Sequence, residues 1–381
     1  MIKQALFVCA LAALVGCSSS NNSGDDGTGN PADSTPSSGD STSPGDDSTT
    51  PTGDSTSTGD STTPPDDSTS TGDSVVPPGD STPPTDTGVK PDAPTPTGGI
   101  KNVFVILMEN HNWSSIKGST SAPYINTKLL PAAAHAEQYY NPPGIHPSLP
   151  NYLWIEAGDN FSIANDLSPS SNHQATKDHL VSQLQGKGIS WKSYQEDIVG
   201  TTCPLSNSTA ASGLHYAPKH NPMVYFDDVT DTNKATSPNC IAHVRPFTEL
   251  SADLSAGKAP RYSFITPNLC NDMHGDTGCP ADDIKTGDTW LSTTIPMITA
   301  SAQYKDGGAI FVVWDEAGSG DGPIGMIVLS PLSKPGGYSN TVKYTHSSLL
   351  KTLEEIFGVA LLRDAGNTAT NDLKDLFATF P

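Results

Sequence analysis

The chain has 381 residues and a formal net charge of −21, with 41 acidic side chains against 20 basic ones. That balance argues against nucleic acid as a partner, because a polyphosphate needs a basic face and is repelled by an acidic one. The length would allow two or three domains, yet the residues sort into a short leader, a long polar tract and one body.

The leader, residues 1–17, carries Lys3, an apolar run from Ala5 to Val15, and then Gly16-Cys17. The run is too short for a stable membrane span and has the form of an export signal. Leu14-Val15-Gly16-Cys17 resembles a bacterial lipobox, which implies cleavage and a lipid on Cys17. The product would then be anchored at the outer membrane or cell surface; an ordinary cleaved signal would leave it periplasmic or secreted. Residues 18–99 repeat a loose Gly-Asp-Ser-Thr unit and hold fourteen aspartates against Lys90 alone. With no apolar face to bury, nothing offsets the entropy of ordering them, so they are expected to form a disordered, extended linker.

Residues 100–381 form the expected single domain, in which apolar runs alternate with helical stretches as in an α/β fold. Val103 to Met108 is apolar without alternation, as suits a strand buried on both faces, and ends on Glu109-Asn110. Ala132 to Tyr140 is predicted as a short helix. A second helix begins near Leu149, with Pro147 and Pro150 on either side of Ser148. Ser148 there is either a helix cap or a group beside an anion site made by free N–H groups. Asp178 to Gly186 is predicted as a helix, Ile189 to Tyr194 as a strand, and residues 200–245 as irregular. Arg261 to Thr266 is a further strand, and Gly287 to Tyr304 a helix containing Pro296. Ala309 to Trp314 repeats the opening pattern and ends on Asp315-Glu316. A third buried run spans Ile324 to Leu329, and Ser347 to Phe357 is an amphipathic helix stopped by Gly358.

Once Cys9 and Cys17 are assigned to the leader, four cysteines remain in the body, and an oxidising compartment favours disulfides. Three pairings are open, of which Cys203–Cys240 with Cys270–Cys279 is favoured because each bond closes a local loop. Glu109, Asn110, Asp315 and Glu316 are all oxygen donors at strand ends, a set suited to Mg, Mn, Ca or Fe. A cation beside Ser148 would make a site for a phosphate ester, with His220 and His274 available to contact phosphoryl oxygens or protonate the leaving group.

Six stretches together resemble a bacterial phosphoesterase family that includes acid phosphatases and phospholipases C and is related to the alkaline-phosphatase superfamily. They are Met108-Glu-Asn-His111, Pro147-Ser-Leu-Pro-Asn-Tyr152, Lys219-His-Asn-Pro222, Thr266-Pro-Asn-Leu-Cys-Asn-Asp-Met-His274, Trp314-Asp-Glu316 and His346-Ser-Ser-Leu-Leu350. The resemblance covers nearly all of residues 100–360 and implies a three-layer fold, a mostly parallel sheet between helices. It implies that Ser148 is the nucleophile, that Glu109, Asn110, Asp315 and Glu316 are metal ligands, and that His220 and His274 contact phosphate. The segment Ala317-Gly-Ser-Gly-Asp-Gly-Pro323 departs from the more acidic, His-containing pattern of the family, which leaves Asp321 without a role and a second metal in question. His111, His146 and His346 stand beside motif residues and are open to either a structural or a functional role. The short body favours a phosphomonoesterase. The alternatives are a phospholipase C or other diesterase on the same site, and a non-catalytic stalked binding lipoprotein. No protein partner is expected. A sulfatase is disfavoured, since neither Cys-x-Pro-x-Arg nor Ser-x-Pro-x-Arg occurs.

Overall fold

A computed structural model describes residues 98–208 and 212–381. The leader and the linker expected over 1–17 and 18–99 lie outside these residues, Gly98 and Gly99 excepted. Among the described residues no helix is long and apolar enough to cross a membrane.

The strands in chain order are β1 (Asn102–Met108), β2 (Ala134–Ala136), β3 (Tyr139–Tyr140), β4 (Trp191–Gln195), β5 (Val244–Pro246), β6 (Tyr262–Thr266), β7 (Gly308–Trp314), β8 (Met326–Leu329), β9 (Ser339–Asn340) and β10 (Tyr344–Thr345). Eight of them make one sheet in the order β5-β4-β6-β1-β7-β8-β2-β9, and β3 pairs with β10 apart from it. Every pairing in the large sheet is parallel except those of β8 with β7 and with β2. Both β1 and β7 are buried along almost their whole length, which is what their unbroken apolar runs require of central strands.

Among the described residues, four helices reach eight residues: α1 (Ser148–Ala157), α2 (Leu180–Lys187), α3 (Asp283–Ala300) and α4 (His346–Phe357). They cover both faces of the sheet. Tyr152 of α1 packs edge-on to Phe264 of β6, and Phe357 of α4 does the same to Tyr262, two residues back on that face. Phe264 is the cross-strand partner of Val105. Met108, of opposite parity along β1, points to the other face, where a Cβ on Gly287 of α3 would stand 2.9 Å from its Cε. Helices on both sides of a mostly parallel sheet are the three layers implied by the sequence.

The largest departure from expectation lies at Ala132 to Tyr140. The expected helix is instead strands β2 and β3, because Ala134 and Ala136 pair with Val328 and Met326 of β8, fully buried. Alanine's helix preference is worth only tenths of a kcal/mol per residue, less than filling the gap between two strands. The run from Ile324 becomes strand only at Met326. Gly325, at φ +82°, lies against Trp113, whose ring a Cβ would meet at 2.2 Å. The helix expected over Gly287–Tyr304 starts earlier, where Asp282 accepts the Lys285 N–H, and ends at Ala300. Residues 200–245 hold short helical turns and β5. Both favoured disulfides are present, Cys203–Cys240 and Cys270–Cys279.

Candidate active site

Register places the site. Met108 of β1 and Trp314 of β7 are cross-strand partners, so the next residues, Glu109-Asn110 and Asp315-Glu316, leave the sheet side by side. The ladder continues one step further, with Asp315 N–H donating to Met108 O at 2.9 Å. Asn110 takes φ +48°, a left-handed conformation that asparagine tolerates better than most residues. Its N–H donates to Asp315 Oδ1 at 3.1 Å. With its nitrogen turned toward the acceptors, its amide donates to Glu109 Oε2 at 3.0 Å and Asp315 Oδ1 at 3.2 Å.

Ser148 is the first residue of α1 and is buried. Its hydroxyl donates to Glu109 Oε2 at 3.0 Å and caps nothing, so the helix-cap reading is set aside. The anion cradle expected at this helix start is largely used within the protein, since Leu149 N–H donates to Asp166 Oδ1 at 3.0 Å and Pro150 has no N–H. One turn further along the same helix face, Tyr152 O–H donates to Glu109 Oε1 at 2.5 Å. Asn151 donates to Glu316 Oε2 at 3.1 Å and also to the carbonyls of Ile145 and Pro147. The helix thus fixes one carboxyl of each strand-end pair, Glu109 and Glu316, and the chain that leads into Ser148.

His220 and His274 are brought to the same place. Nδ1 of His220 faces Asp272 Oδ2 at 3.1 Å, and Nε2 stands 3.3 Å from Glu109 Oε1. His274 Nδ1–H donates to Gly275 O at 2.7 Å, which leaves Nε2 to accept from Lys219 Nζ at 3.2 Å. Lys219 also pairs with Asp166 Oδ2 at 3.0 Å. Burial lowers the proton affinity of both rings, and the Lys219 charge lowers it further. Glu109, His220 and His274 present ligand atoms all within 4.8 Å of one another.

Charge at the site is unbalanced. Burial, then Asp315 and Asp272, hold the Glu109 carboxyl well above the usual carboxylate range, and burial does the same to Asp272. Burial lifts Asp315 to about 6, and burial with Asp315 lifts Glu316 to about 7. Burial works against the Lys219 ammonium, but Glu109 and Asp166 carry its proton affinity above the ordinary value. Asp315 Oδ2 is buried with no hydrogen-bond partner. Several desolvated carboxyls facing one ammonium are costly unless protons or a cation offset them. A hard divalent cation fits this donor set of oxygens and the unpartnered Asp315 oxygen.

The remaining histidines separate by environment. His346 is fully buried; its Nε2–H donates to Asp315 O at 2.5 Å and its Nδ1 accepts from Tyr139, so it holds the backbone beneath the site. His146 is part-exposed and bridges Glu316 Oε2 at 2.5 Å and Asp321 Oδ1 at 3.3 Å. His111 stands 3.6 Å from Asp283. Sequence reading left Tyr152, Asn151, Lys219 and Asp272 without roles, although all four lie inside the quoted stretches. Asp166 lies in no such stretch and is brought in by tertiary contacts alone.

The model of the phosphoesterase family matches residues 122–360, a span that holds every candidate site residue except Glu109 and Asn110. The chain is 30% identical over 259 residues to a phosphatidylinositol-3-phosphatase of Mycobacterium tuberculosis, covering 68% of this chain and 77% of that one. It is 30% identical over 231 residues to a phosphate-repressible acid phosphatase of Penicillium chrysogenum, 57% of this chain and 50% of that one. It therefore spans about half the length of this fungal relative. A solved protein of the alkaline phosphatase superfamily from Vibrio parahaemolyticus superposes with a TM-score of 0.47 at 12% identity, over 74% of this chain and 73% of that one. The match over most of the body, together with the first of these relatives, shows that the chain belongs to the phosphoesterase family and is a phosphoric ester hydrolase.

Proposed function

We propose that the chain is an exported, metal-dependent phosphomonoesterase with Ser148 as nucleophile and Glu109, Asn110, Asp315 and Glu316 holding one divalent cation, Mg, Mn, Ca or Fe. The observation that carries this reading is the 3.0 Å hydrogen bond from the buried Ser148 hydroxyl to Glu109. It sits at the point where two register-matched strands release Glu109-Asn110 and Asp315-Glu316. A divalent cation bound there would lower the proton affinity of the hydroxyl and offset negative charge on the phosphoryl oxygens.

The chain's own groups supply the rest. Ser148 Oγ attacks phosphorus, its proton passes toward Glu109, and the alcohol leaves as a phosphoserine forms; water then cleaves that ester and restores the hydroxyl. Tyr152 fixes the Glu109 carboxylate, and Lys219 provides the fixed positive charge that the blocked helix start does not. A phosphate dianion brought against Nε2 of His220 and His274 raises the proton affinity of both rings. Each can then take a proton and donate to a phosphoryl oxygen or to the leaving alkoxide.

The two disulfides fit an oxidising compartment and so support export. The lipid on Cys17 and the linker belong to this proposal, and residues 1–97 lie outside those described. Among the described residues the exposed large apolar side chains are Leu167, Val199, Val342 and Leu361, on four separate segments. That pattern supports a monoesterase over a phospholipase C, which would need a broad apolar rim.

The test compares the full chain with Ser148→Ala on p-nitrophenyl phosphate and bis-p-nitrophenyl phosphate, after chelation and add-back of single metals. Metal-dependent monoester hydrolysis that falls about a thousandfold or more in the variant is expected. Activity that survives Ser148→Ala would remove the serine from this role, and preference for the diester would replace monoesterase with diesterase.

A further inference from the structure

We propose that Asp321 and the cavity beside it form a subsite for the alcohol half of the substrate, and that this subsite takes a polyol, a sugar or cyclitol phosphate. The inference rests on the phosphoesterase reading of the same site and names its substrate class. The cavity measures ≈ 290 Å³ and is lined by Tyr140, Asn141, Pro143, Asp321, Lys343 and Thr345.

Its position follows from three chain segments that also build the catalytic centre. Tyr140 and Thr345 are cross-strand partners in the small sheet of β3 and β10. Beyond Thr345 the chain enters α4, where His346 holds the Asp315 carbonyl. Beyond Tyr140 it runs through Asn141, whose amide donates to Ile145 O at 3.2 Å, into Ser148. The third segment follows Glu316 and carries Asp321. The bridge from Glu316 through His146 to Asp321 joins the cavity to the proposed metal ligands by contacts of 2.5 and 3.3 Å.

Asp321 is positioned by its loop. Asn112 clamps that loop at a single residue, donating to Ser319 O at 3.0 Å and accepting from Ser319 N–H at 3.1 Å. Gly318 and Gly322 lie so close that a Cβ would stand 2.4 Å from Asn110 O and 2.6 Å from Asn112 Nδ2. The glycines of this atypical segment therefore let it pack flat against the residues after β1, with Asp321 left half exposed at the cavity.

The lining has the chemistry of polyol recognition. Tyr140 offers a ring face for the C–H side of a sugar, with Lys343 Nζ 5.3 Å from the ring centroid. Asp321 accepts from hydroxyls, Lys343 donates to them, and Asn141 and Thr345 supply neutral polar groups. A carboxylate and an ammonium on opposite partners of one small cavity suit a neutral molecule with many hydroxyls better than a hydrocarbon chain.

The test uses the full chain with p-nitrophenyl phosphate, glucose 6-phosphate, a soluble inositol 3-phosphate, and the inositol phospholipid bearing the same headgroup in mixed micelles. The variants are Asp321→Asn and Tyr140→Leu. We expect KM for the polyol phosphates to rise about tenfold in each variant, with kcat/KM for p-nitrophenyl phosphate changed less than about twofold in Asp321→Asn, because that leaving group has no hydroxyl for the carboxylate to accept from. Parallel losses for the soluble and the micellar inositol ester point to the headgroup itself as the ligand; loss only with free sugar phosphate points to soluble esters. Equal effects on all substrates, or none on the polyol phosphates, would overturn the subsite while hydrolysis of p-nitrophenyl phosphate still stands. Absence of hydrolysis of every ester by the wild type would overturn the phosphoesterase site and the subsite together.

Discussion

The two sides of the site differ in how far they are closed. On one side Glu109, Asp272, His220 and Asp315 are buried to 2% exposure or less, and each is held by fixed neighbours. On the other, Glu316 leads through His146 to Asp321, whose side chains are 41% and 56% exposed. In the closed wall each charge is expensive, so its groups are tuned by burial and by one another. At the open mouth water screens the same kinds of group, and they are better suited to selecting what enters. On the proposed reading, the contrast divides the site into a part that performs the reaction and a part that chooses the substrate.

The sharpest way to break that division is Asp315→Asn. It removes a carboxylate from the wall while keeping its shape, and we expect kcat to fall by about two to three orders of magnitude. Bound metal, counted by elemental analysis after desalting, should fall with it; unchanged metal content would remove Asp315 from the ligand set. Lys219→Met tests the wall's ammonium. Loss of that charge should weaken inhibition by inorganic phosphate about tenfold, and unchanged inhibition would show that Lys219 serves only to fix Asp166. At the mouth, Asp321→Asn should leave p-nitrophenyl phosphate nearly untouched, as described above. A thousandfold loss there would abolish the distinction between the two sides.

The smallest effect lies outside the site. Burial pushes the carboxyl of Glu354 on α4 to about 8, while one oxygen accepts the Leu362 N–H at 2.8 Å. An acid whose folded proton affinity is raised stabilises the fold fully at pH values below its ordinary range, near 4.5. That contribution is lost as pH rises toward 8. Glu354→Gln keeps the hydrogen bond and cannot ionise, so it should raise Tm by a few degrees at pH 8 and leave it unchanged near pH 4.5. A Tm difference independent of pH would show that Glu354 does not titrate in this range.

Some of the molecule is written locally. The unbroken apolar runs of β1 and β7 specify buried central strands, and the abrupt pairs of oxygen-bearing side chains after them mark the ligand candidates. Gly358 ends α4 in a left-handed turn, as its place after Phe357 indicates. Pairing of cysteines consecutive in the chain keeps both disulfide loops local. In these places one residue type or one short pattern suffices, because the physical requirement acts within a few residues of the chain.

Other features belong to the tertiary structure, because they depend on what distant segments place alongside. Ala132 to Tyr140 has a helical composition but lies where β8 and β9 need a strand between them, and sheet pairing overrides its preference. Asp166 carries no local signal, yet it takes the Leu149 N–H and pairs with Lys219, using one of the free N–H groups at the start of the helix. The lowered proton affinity of His220 and His274 comes from burial and the nearby Lys219 charge. The sequence alone determines which residue types are available for phosphoester chemistry; the fold decides their charge, because burial and neighbours set it.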